Sequence, residues 1–297
     1  MIFIFLDGVG IGSKDRASNP FFADRFPTWE RLSGGSAPYL RNARRSTDHS
    51  TVTPINATLG VSGYPQSGTG QTTILTGVNA SKQIGKHFGP YPYSTLRPIL
   101  KEQNMFLSLH RKAVTSSFAN AYPQRYFDYL EKHPIVMGSN ALAWKLSGFR
   151  LRNHEDLRNG EAVSADITNE RWPDMGYPNI LRISPQEAGA RLTELSRKYQ
   201  FVFYEYYLTD KAGHHQSMSE AVRALKDVDG LLEGLVESAD LKSTLVLITS
   251  DHGNIEDLSV RTHTRNPVPL LAVGNGHQSA MKLKSLVDIK SFIVNQF

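Results

Sequence analysis

The stretch at residues 244–254 constrains the fold of this chain more than any other. It contains the aliphatic run Val246–Ile248, ends in Asp251 and His252, and then meets Gly253, which lets the chain turn away. A continuous apolar run bounded by turn-forming residues predicts a strand that is buried on both faces. Ligands of open α/β sheets bind at the carboxyl ends of such strands. The Asp-His pair is therefore a candidate site, although a capped strand end with a hydrogen-bonded histidine would also explain the pair alone.

The composition limits the classes of function. The 297 residues are 40% hydrophobic and 21% charged, which is typical of a soluble globular protein with a well-buried core. The net charge is +5 and no run of lysine and arginine exceeds two residues, so nucleic acid is not an expected partner. The absence of cysteine excludes disulfides, thiolate metal sites and cysteine nucleophiles. The apolar run at residues 2–6 is too short for a signal sequence or a membrane span, and we expect a cytoplasmic protein without membrane contact.

Residues 2–6 predict a second buried strand, which delivers Asp7 to its carboxyl end. The turn at residues 7–12 has the spacing G-x-G-x-G instead of G-x-G-x-x-G, and no helix-forming run follows, so dinucleotide binding is disfavoured. Residues 13–56 are rich in Ser, Asn, Pro and Arg, and they predict surface loops around one short helix near Pro27–Leu32.

Residues 57–80 predict a helix of about two to three turns that ends at Gly77, a favoured position just beyond a helix. Ser67 lies at or just before its start, where free N–H groups and the helix dipole favour a phosphate or an ionised alkoxide. The alternative is that Ser67 only caps the helix. A serine-hydrolase elbow is disfavoured, because it requires G-x-S-x-G and Pro65 stands two residues before Ser67.

Residues 184–273 predict an alternation of helices and strands. A capping box at residues 184–187 opens a helix, and the following strand at 201–208 leads to Asp210 and His214, whose spacing of four lets them converge on one ion. His263 follows the turn at residues 251–253 and precedes a strand at 268–273. This alternation, without repeats or linkers, predicts a single doubly wound α/β domain over residues 1–297 with helices on both faces. The less regular segment at about 81–183 is predicted to be a small insert or cap.

The candidate residues comprise three carboxylates, three imidazoles and one hydroxyl. They are Asp7, Ser67, Asp210, His214, Asp251, His252 and His263. This set is too large for one ion and suits two divalent ions, and donors without sulfur favour Zn²⁺ or Mn²⁺ over Ca²⁺. Two such ions, roughly 4 Å apart, can activate an oxygen nucleophile and stabilise the leaving oxygen in a displacement at phosphorus.

The motifs at residues 248–254 and 262–269 resemble those of the alkaline phosphatase superfamily of binuclear metalloenzymes. Within the superfamily they are most similar to cofactor-independent phosphoglycerate mutases. The superfamily places its nucleophile ten residues before the end of a helix closed by Thr-Gly, and counting back from Gly77 leads to Ser67. The resemblance covers roughly residues 1–80 and 184–297, and it implies an alkaline-phosphatase-like sheet.

The resemblance also implies a role for each candidate residue. It assigns one ion to Asp7, Ser67, Asp251 and His252, and the second ion to Asp210, His214 and His263. Ser67 would attack phosphorus and form a phosphoserine intermediate. The N–H of Gly68 would donate to the developing charge, and Lys211 would contact phosphate, unless it is an ordinary surface lysine.

The reaction type has several alternatives. Only about a hundred residues separate the two halves of the predicted site, where mutases of this branch carry a large second domain, and Gln71 stands where they usually carry His. Both differences favour a phosphatase acting on a small phosphorylated substrate. The alternatives are a phosphomutase, a phosphodiesterase, or a metal- or phosphate-binding protein without turnover. Sulfate esters are disfavoured, because Ser67 is followed by Gly-Thr-Gly and not by the sulfatase pattern x-Pro-x-Arg. The sequence does not indicate an oligomeric state.

Overall fold

A seven-stranded sheet lies at the centre of the computed structural model, which describes all 297 residues. The strands of the protein are β1 (Ile2–Leu6), β2 (Arg45–Ser46), β3 (Ser50–Ile55), β4 (Ser116–Phe118), β5 (Asn120–Ala121), β6 (Val163–Ser164), β7 (Phe201–Tyr206), β8 (Leu245–Thr249) and β9 (Val268–Gly274). The order in the large sheet is β2-β3-β9-β8-β1-β7-β4, and β5 and β6 form a separate parallel pair.

The large sheet is parallel on one side and antiparallel on the other. The strands β8, β1, β7 and β4 run parallel, whereas β9 is antiparallel to β8 and β3 is antiparallel to β9. The prediction of surface loops for residues 13–56 is wrong at β3, which is mostly buried. Its residues Ser50–Ile55 alternate polar and apolar types and include a proline, so they lack the continuous apolar run that identified the central strands.

Helices cover both faces of the sheet. They are α1 (Pro20–Ala23), α2 (Pro27–Leu32), α3 (Ser67–Thr76), α4 (Ala80–Ile84), α5 (Arg97–Gln103), α6 (Met105–Arg111), α7 (Gln124–Lys132), α8 (Ser139–Leu146), α9 (His154–Arg158), α10 (Pro185–Lys198), α11 (Leu208–His215), α12 (Met218–Ser238) and α13 (Asp288–Val294). Short 3₁₀ helices lie at Pro134–Val136, Pro173–Met175 and His277–Lys282. None of the helices combines the length and the hydropathy that a membrane-spanning segment requires.

The central strands divide their side chains between two hydrophobic clusters. In β1, Ile2, Ile4 and Leu6 pack on the face covered by α10 and α12, whereas Phe3 and Phe5 pack on the face covered by α3, α6, α8 and α13. This follows from the two-residue period of a strand. The continuous apolar sequence of β1 is therefore explained by burial on both sides, and the α/β fold class predicted from the sequence is confirmed.

The segment at residues 81–183 contributes to the core as well as to the surface. Its strand β4 forms one edge of the large sheet, and residues of α6 and α8 belong to the same hydrophobic cluster as Phe3 and Phe5. A smaller cluster around Trp172 belongs to this segment alone. We propose that residues 81–183 are an insert that shares the core of one domain spanning the whole chain.

Candidate metal centre

All of the predicted ligand residues lie at one end of the strands of the large sheet. Asp7 directly follows β1, Asp210 lies in α11 just after β7, and Asp251 follows β8. Because these three strands are parallel, their carboxyl ends lie at the same end of the sheet. The antiparallel strand β9 begins at that end, which brings in His263 from the preceding loop. The sheet topology therefore turns positions distant in sequence into neighbours.

The first group of converging side chains consists of Asp210, His214 and His263. The Nε2 atom of His214 lies 3.3 Å from Asp210 Oδ2 and 3.1 Å from His263 Nε2. The spacing of four residues places Asp210 and His214 on one face of α11, as their sequence positions predicted.

Hydrogen bonds to the backbone fix the two imidazoles of this group. His263 Nδ1 lies 2.7 Å from the Pro65 carbonyl oxygen, and His214 Nδ1 lies 3.2 Å from the Arg261 carbonyl oxygen. A carbonyl can only accept, so each Nδ1 donates its proton and each Nε2 points towards the other. This is the arrangement by which second-shell carbonyls orient histidine ligands of metals.

The second group consists of Asp7, Asp251, His252 and Ser67. The His252 Nε2 atom lies 3.0 Å from Ser67 Oγ, 3.4 Å from Asp7 Oδ1 and 3.6 Å from Asp251 Oδ2. All four residues are buried, and the rings of His252 and His263 stack with their centroids 3.7 Å apart. The two groups are thus in direct contact. We call the seven residues of both groups the ligand cluster.

Asp210 lies between the two groups. Its Oδ1 atom is 3.6 Å from His263 Nε2 and 4.0 Å from His252 Nδ1, and it can share an ion with Asp7 and His252 as well as with the two other histidines. The resemblance stated above assigned Asp210 to a single ion. In the structure its carboxylate is placed to contact both.

The electrostatics of the ligand cluster suit a cation. Burial, followed by the charges of Asp251 and Asp210, raises the pKa of Asp7, and burial together with Asp210 raises the pKa of Asp251. Burial also lowers the pKa of His252 and of His263, which keeps both imidazoles neutral and able to ligate. Crowded carboxylates beside neutral imidazoles form a donor set that a positive charge compensates.

Individual atoms in the ligand cluster support the same conclusion. Asp7 Oδ1 and His252 Nδ1 are buried and have no hydrogen-bond partner. A buried polar atom without a partner is costly, and an ion provides one explanation for its retention. The residues present therefore fit divalent metal ions, with oxygen and nitrogen donors only.

The helix α3 positions Ser67 at its first residue, as predicted, and ends at Gly77 in the left-handed conformation with φ 70°. All of α3 is buried although it is largely polar, because the hydroxyls of Thr72, Thr73 and Thr76 donate to carbonyls four residues earlier. Gly70 allows close packing, since a Cβ there would lie 2.9 Å from the Asp251 carbonyl oxygen. The helix N-terminus is thereby held against the ligand cluster.

The two predicted substrate-binding residues lie in different surroundings. The N–H of Gly68 belongs to the first turn of α3 and has no acceptor within the helix, so it is available to an anion beside Ser67. Lys211 is exposed on α11 and lines a cavity with Arg171, Arg223 and Asp227. The ligand residues Asp210 and His214 do not line that cavity.

The sequence analysis did not identify three polar residues that organise the ligand cluster. Gln71 Nε2 lies 3.3 Å from Asp7 Oδ2 and 3.2 Å from Asp251 Oδ2, so its amide joins the two carboxylates. Asn254 Nδ2 donates to Asp210 Oδ1 at 2.7 Å. The position of Gln71, one helical turn after Ser67 on the same face of α3, was the available signal for its role.

The third of these residues, Glu256, joins three loops. Its carboxylate accepts hydrogen bonds from the N–H groups of Gly10 and Asn254, from the Thr264 hydroxyl and from the Asn266 side chain. Burial raises its pKa. No local signal indicates this role, because the partners lie up to 246 positions away.

Comparisons with known proteins agree with the fold. Residues 182–297 match the family model described as "Metalloenzyme superfamily". The "2,3-bisphosphoglycerate-independent phosphoglycerate mutase" of Pyrococcus abyssi is 34% identical over 86 residues, which are 29% of this chain and 20% of that protein. The protein of the same name from Yersinia pestis (strain Pestoides F) is 32% identical over 120 residues, which are 36% of this chain and 23% of that protein. The matches thus span about a fifth to a quarter of these relatives.

Solved structures extend the similarity to the whole fold. The alkaline phosphatase from the Antarctic bacterium TAB5 has a TM-score of 0.57 at 11% identity, with 100% of this chain and 97% of that chain covered. The PH0037 protein from Pyrococcus horikoshii has a TM-score of 0.59 at 15% identity, with 100% and 96% covered. The resemblance to the alkaline phosphatase superfamily is confirmed: the chain has the alkaline phosphatase-like fold, and its C-terminal part carries the metalloenzyme sequence.

Proposed function

We propose that this chain is a metal-dependent phosphoryl-transfer enzyme that hydrolyses a small phosphate monoester through a phosphoserine at Ser67. The observation that supports this most strongly is the convergence of Ser67 Oγ with the ligand cluster at the N-terminus of α3. The metalloenzyme match and the relatives named as phosphoglycerate mutases support the same class of reaction.

Two ions fit the donor set. Asp7, Ser67, Asp251 and His252 would hold one, and Asp210, His214 and His263 would hold the other, with Asp210 placed close to both. Zn²⁺ and Mn²⁺ suit these oxygen and nitrogen donors. When bound, such ions would lower the pKa of the Ser67 hydroxyl and neutralise charge on the phosphoryl oxygens.

The residues of the chain orient the reacting groups. His252 Nε2 lies 3.0 Å from Ser67 Oγ, so these two atoms are held side by side at the start of α3. Ser67 Oγ then forms a bond to phosphorus while the ester P–O bond breaks and the leaving oxygen takes a proton. The Gly68 N–H and the positive end of α3 stabilise the negative charge of the phosphoryl group. Water subsequently attacks the phosphoserine, which releases inorganic phosphate and restores Ser67.

The test is release of inorganic phosphate from a panel of phosphate monoesters by protein loaded with Mn²⁺ or Zn²⁺. Ser67→Ala should lower the rate by at least about 1000-fold, because it removes the nucleophile. Ser62→Ala, an exposed serine in the preceding loop, is the matched control and should keep the activity. Full activity of Ser67→Ala would contradict the proposal, and so would two bound metals without turnover of any ester.

A phosphomutase is the second candidate, because the curated relatives carry that name. Phosphorus NMR of the metal-loaded protein with phosphoglycerate distinguishes the two reactions. Movement of phosphate within the substrate without net release would favour the mutase, whereas quantitative release would exclude it.

A further inference from the structure

A large aromatic cavity lies among residues that the proposed reaction does not use. Its volume is about 650 Å³, and its lining comes from the segment at residues 91–175 together with Glu205 and Tyr207. Six of its lining side chains are aromatic: Tyr91, Tyr122, Tyr126, Tyr129, Trp172 and Tyr207. The rings of Tyr122 and Tyr126 stack with centroids 4.4 Å apart and an interplanar angle of 19°. We call this space the aromatic cavity.

The aromatic cavity adjoins the start of α3. The Tyr91 carbonyl oxygen would lie 2.9 Å from a Cβ placed on Gly68, so the backbone of a cavity residue touches the turn that carries Ser67. On the other side, Glu205 in β7 pairs with Phe5 in β1, two residues before Asp7. Its side chain lies on the same face of β7 as those of Phe201 and Phe203, which is the sheet face covered by α3.

The charged groups of the aromatic cavity are two carboxylates, Glu205 and Asp166, and two arginines, Arg125 and Arg171. Glu205 Oε1 accepts a hydrogen bond of 3.0 Å from Asn140 Nδ2, which leaves Oε2 for a ligand. Asp166 is already engaged by the Ser164 hydroxyl and by the backbone N–H groups of Asn169 and Arg171. Exposed side chains at the rim include Tyr129 and Tyr207, at 52% and 43% exposure. An inner carboxylate beside aromatic rings suits a flat group that carries hydrogen-bond donors.

We propose that the aromatic cavity is the leaving-group subsite of the reaction at Ser67, and that the substrate is a phosphate monoester of a ring-bearing alcohol. This inference rests on the proposed phosphoryl transfer, in which the phosphate of the substrate would lie at Ser67 and its ring among the tyrosines. The volume lies within the range of about 300–1000 Å³ that is usual for sites of larger organic ligands. A three-carbon phosphoglycerate would leave most of this space unfilled.

The ring can come from an aryl alcohol or from a nucleoside. Both offer a flat face to the stacked tyrosines, and a nucleobase adds N–H donors for Glu205. Comparing the binding of a nucleoside monophosphate with that of phenyl phosphate therefore distinguishes the two sources of the ring. Tighter binding of the nucleotide identifies a nucleoside, and equal or tighter binding of the phenyl ester identifies an aryl alcohol.

The first experiment measures binding and needs no turnover. Calorimetry with metal-loaded protein compares phenylphosphonate, which cannot be hydrolysed at its P–C bond, with methylphosphonate, which lacks the ring. Phenylphosphonate should bind about 10-fold more tightly than methylphosphonate. Equal affinities would overturn the subsite. A clear preference for the ring without hydrolysis of any ester would uphold the subsite and contradict only the proposed reaction.

Substitutions test whether the side chains of the aromatic cavity cause the preference for ring-bearing ligands. Tyr126→Ala should remove the preference for phenylphosphonate, and in turnover it should raise KM for phenyl phosphate on the order of 10-fold while changing KM for glycerol phosphate less. Tyr39→Ala is the matched control, because Tyr39 is also half-buried but packs against Phe22 outside the aromatic cavity. If Tyr126→Ala does not fold, Tyr129→Ala provides a second test, because Tyr129 lies at the exposed rim of the aromatic cavity. Equal effects on esters with and without a ring would overturn the proposal.

Discussion

The ligand cluster and the aromatic cavity lie beside each other but are built in opposite ways. The ligand cluster consists of charged and polar side chains at the ends of parallel strands and in the helix and loops packed against them, held by hydrogen bonds to backbone carbonyls such as those of Pro65 and Arg261. The aromatic cavity is lined mostly by residues on short helices and loops of one intervening segment, with four tyrosines and Trp172 among them. The difference teaches that the sheet fixes the reaction centre, whereas the segment at 81–183 shapes the space for the rest of the substrate.

This contrast predicts that damage to the ligand cluster lowers turnover of every ester alike. His214→Ala removes an imidazole from the cluster, and we expect a loss of at least about 100-fold in kcat/KM together with the loss of one bound ion. Elemental analysis and kinetics with ring-bearing and ring-free esters measure both effects. His215→Ala is the matched control, because the adjacent His215 pairs with Glu220 outside the cluster. A loss of activity confined to ring-bearing esters would contradict this division of roles between the ligand cluster and the aromatic cavity.

The residues of the ligand cluster could be chosen as candidates from the sequence because they are tied to local signals. Asp7 and Asp251 directly follow continuous apolar strands, Asp210 and His214 are four apart, and Ser67 opens a helix that ends in glycine. Each signal needs only a few neighbouring residues. The α/β alternation then predicts that the carboxyl ends of the parallel strands lie at one end of the sheet.

Features that depend on contacts between distant segments were not predictable in the same way. Glu256 joins loops that are far apart in sequence. The burial of β3 is not visible from its polar residues, because it depends on distant partners such as His277, which bonds to Thr51. The aromatic cavity is the extreme case. Tyr122, Tyr126 and Tyr129 have the spacing of one helix face, but the sequence does not show that this face lines a cavity together with Trp172 and Tyr207. Its walls become visible only when β4 and the following helices take their places.

Gln71 offers a sharper test of the ligand cluster, since it joins two carboxylates and is not itself assigned as a ligand. Gln71→Met keeps the size of the side chain but removes the hydrogen bonds to Asp7 and Asp251. We expect metal affinity to fall about 10-fold, because partners of ligands typically contribute 10- to 100-fold. Titration with Zn²⁺ or Mn²⁺ measures it, with Gln83→Met on the exposed surface of α4 as the control. Unchanged affinity would show that the two carboxylates need no bridge.

The smallest expected effect concerns stability and pH. Burial and Asp210 raise the pKa of Asp251 above its ordinary value of 3.8, so the folded metal-free protein binds this proton more tightly than the unfolded chain does. Asp251 should therefore add stability as the pH falls from about 8 to about 5, against the loss expected below about 6.5 from His252 and His263, whose pKa burial lowers. Asp251→Asn should flatten that slope in thermal unfolding with a chelator present.

Metal-loaded protein should show the opposite trend, because protonation of the carboxylates displaces the ions. Glu205 of the aromatic cavity contributes to the metal-free slope in the same direction as Asp251, because burial raises its pKa to about 7. Identical slopes for the metal-free wild type and Asp251→Asn would contradict the electrostatic description of the ligand cluster.

The most direct test of the central claim is detection of phosphate on Ser67. Metal-loaded protein is mixed with phenyl phosphate, quenched in acid during turnover, digested and analysed by mass spectrometry. The proposal predicts one phosphoryl group on the peptide that contains Ser67, absent after chelation and absent in Ser67→Ala. Rapid release of phosphate by Ser67→Ala, with no phosphoserine in the wild type, would show that the reaction does not pass through Ser67.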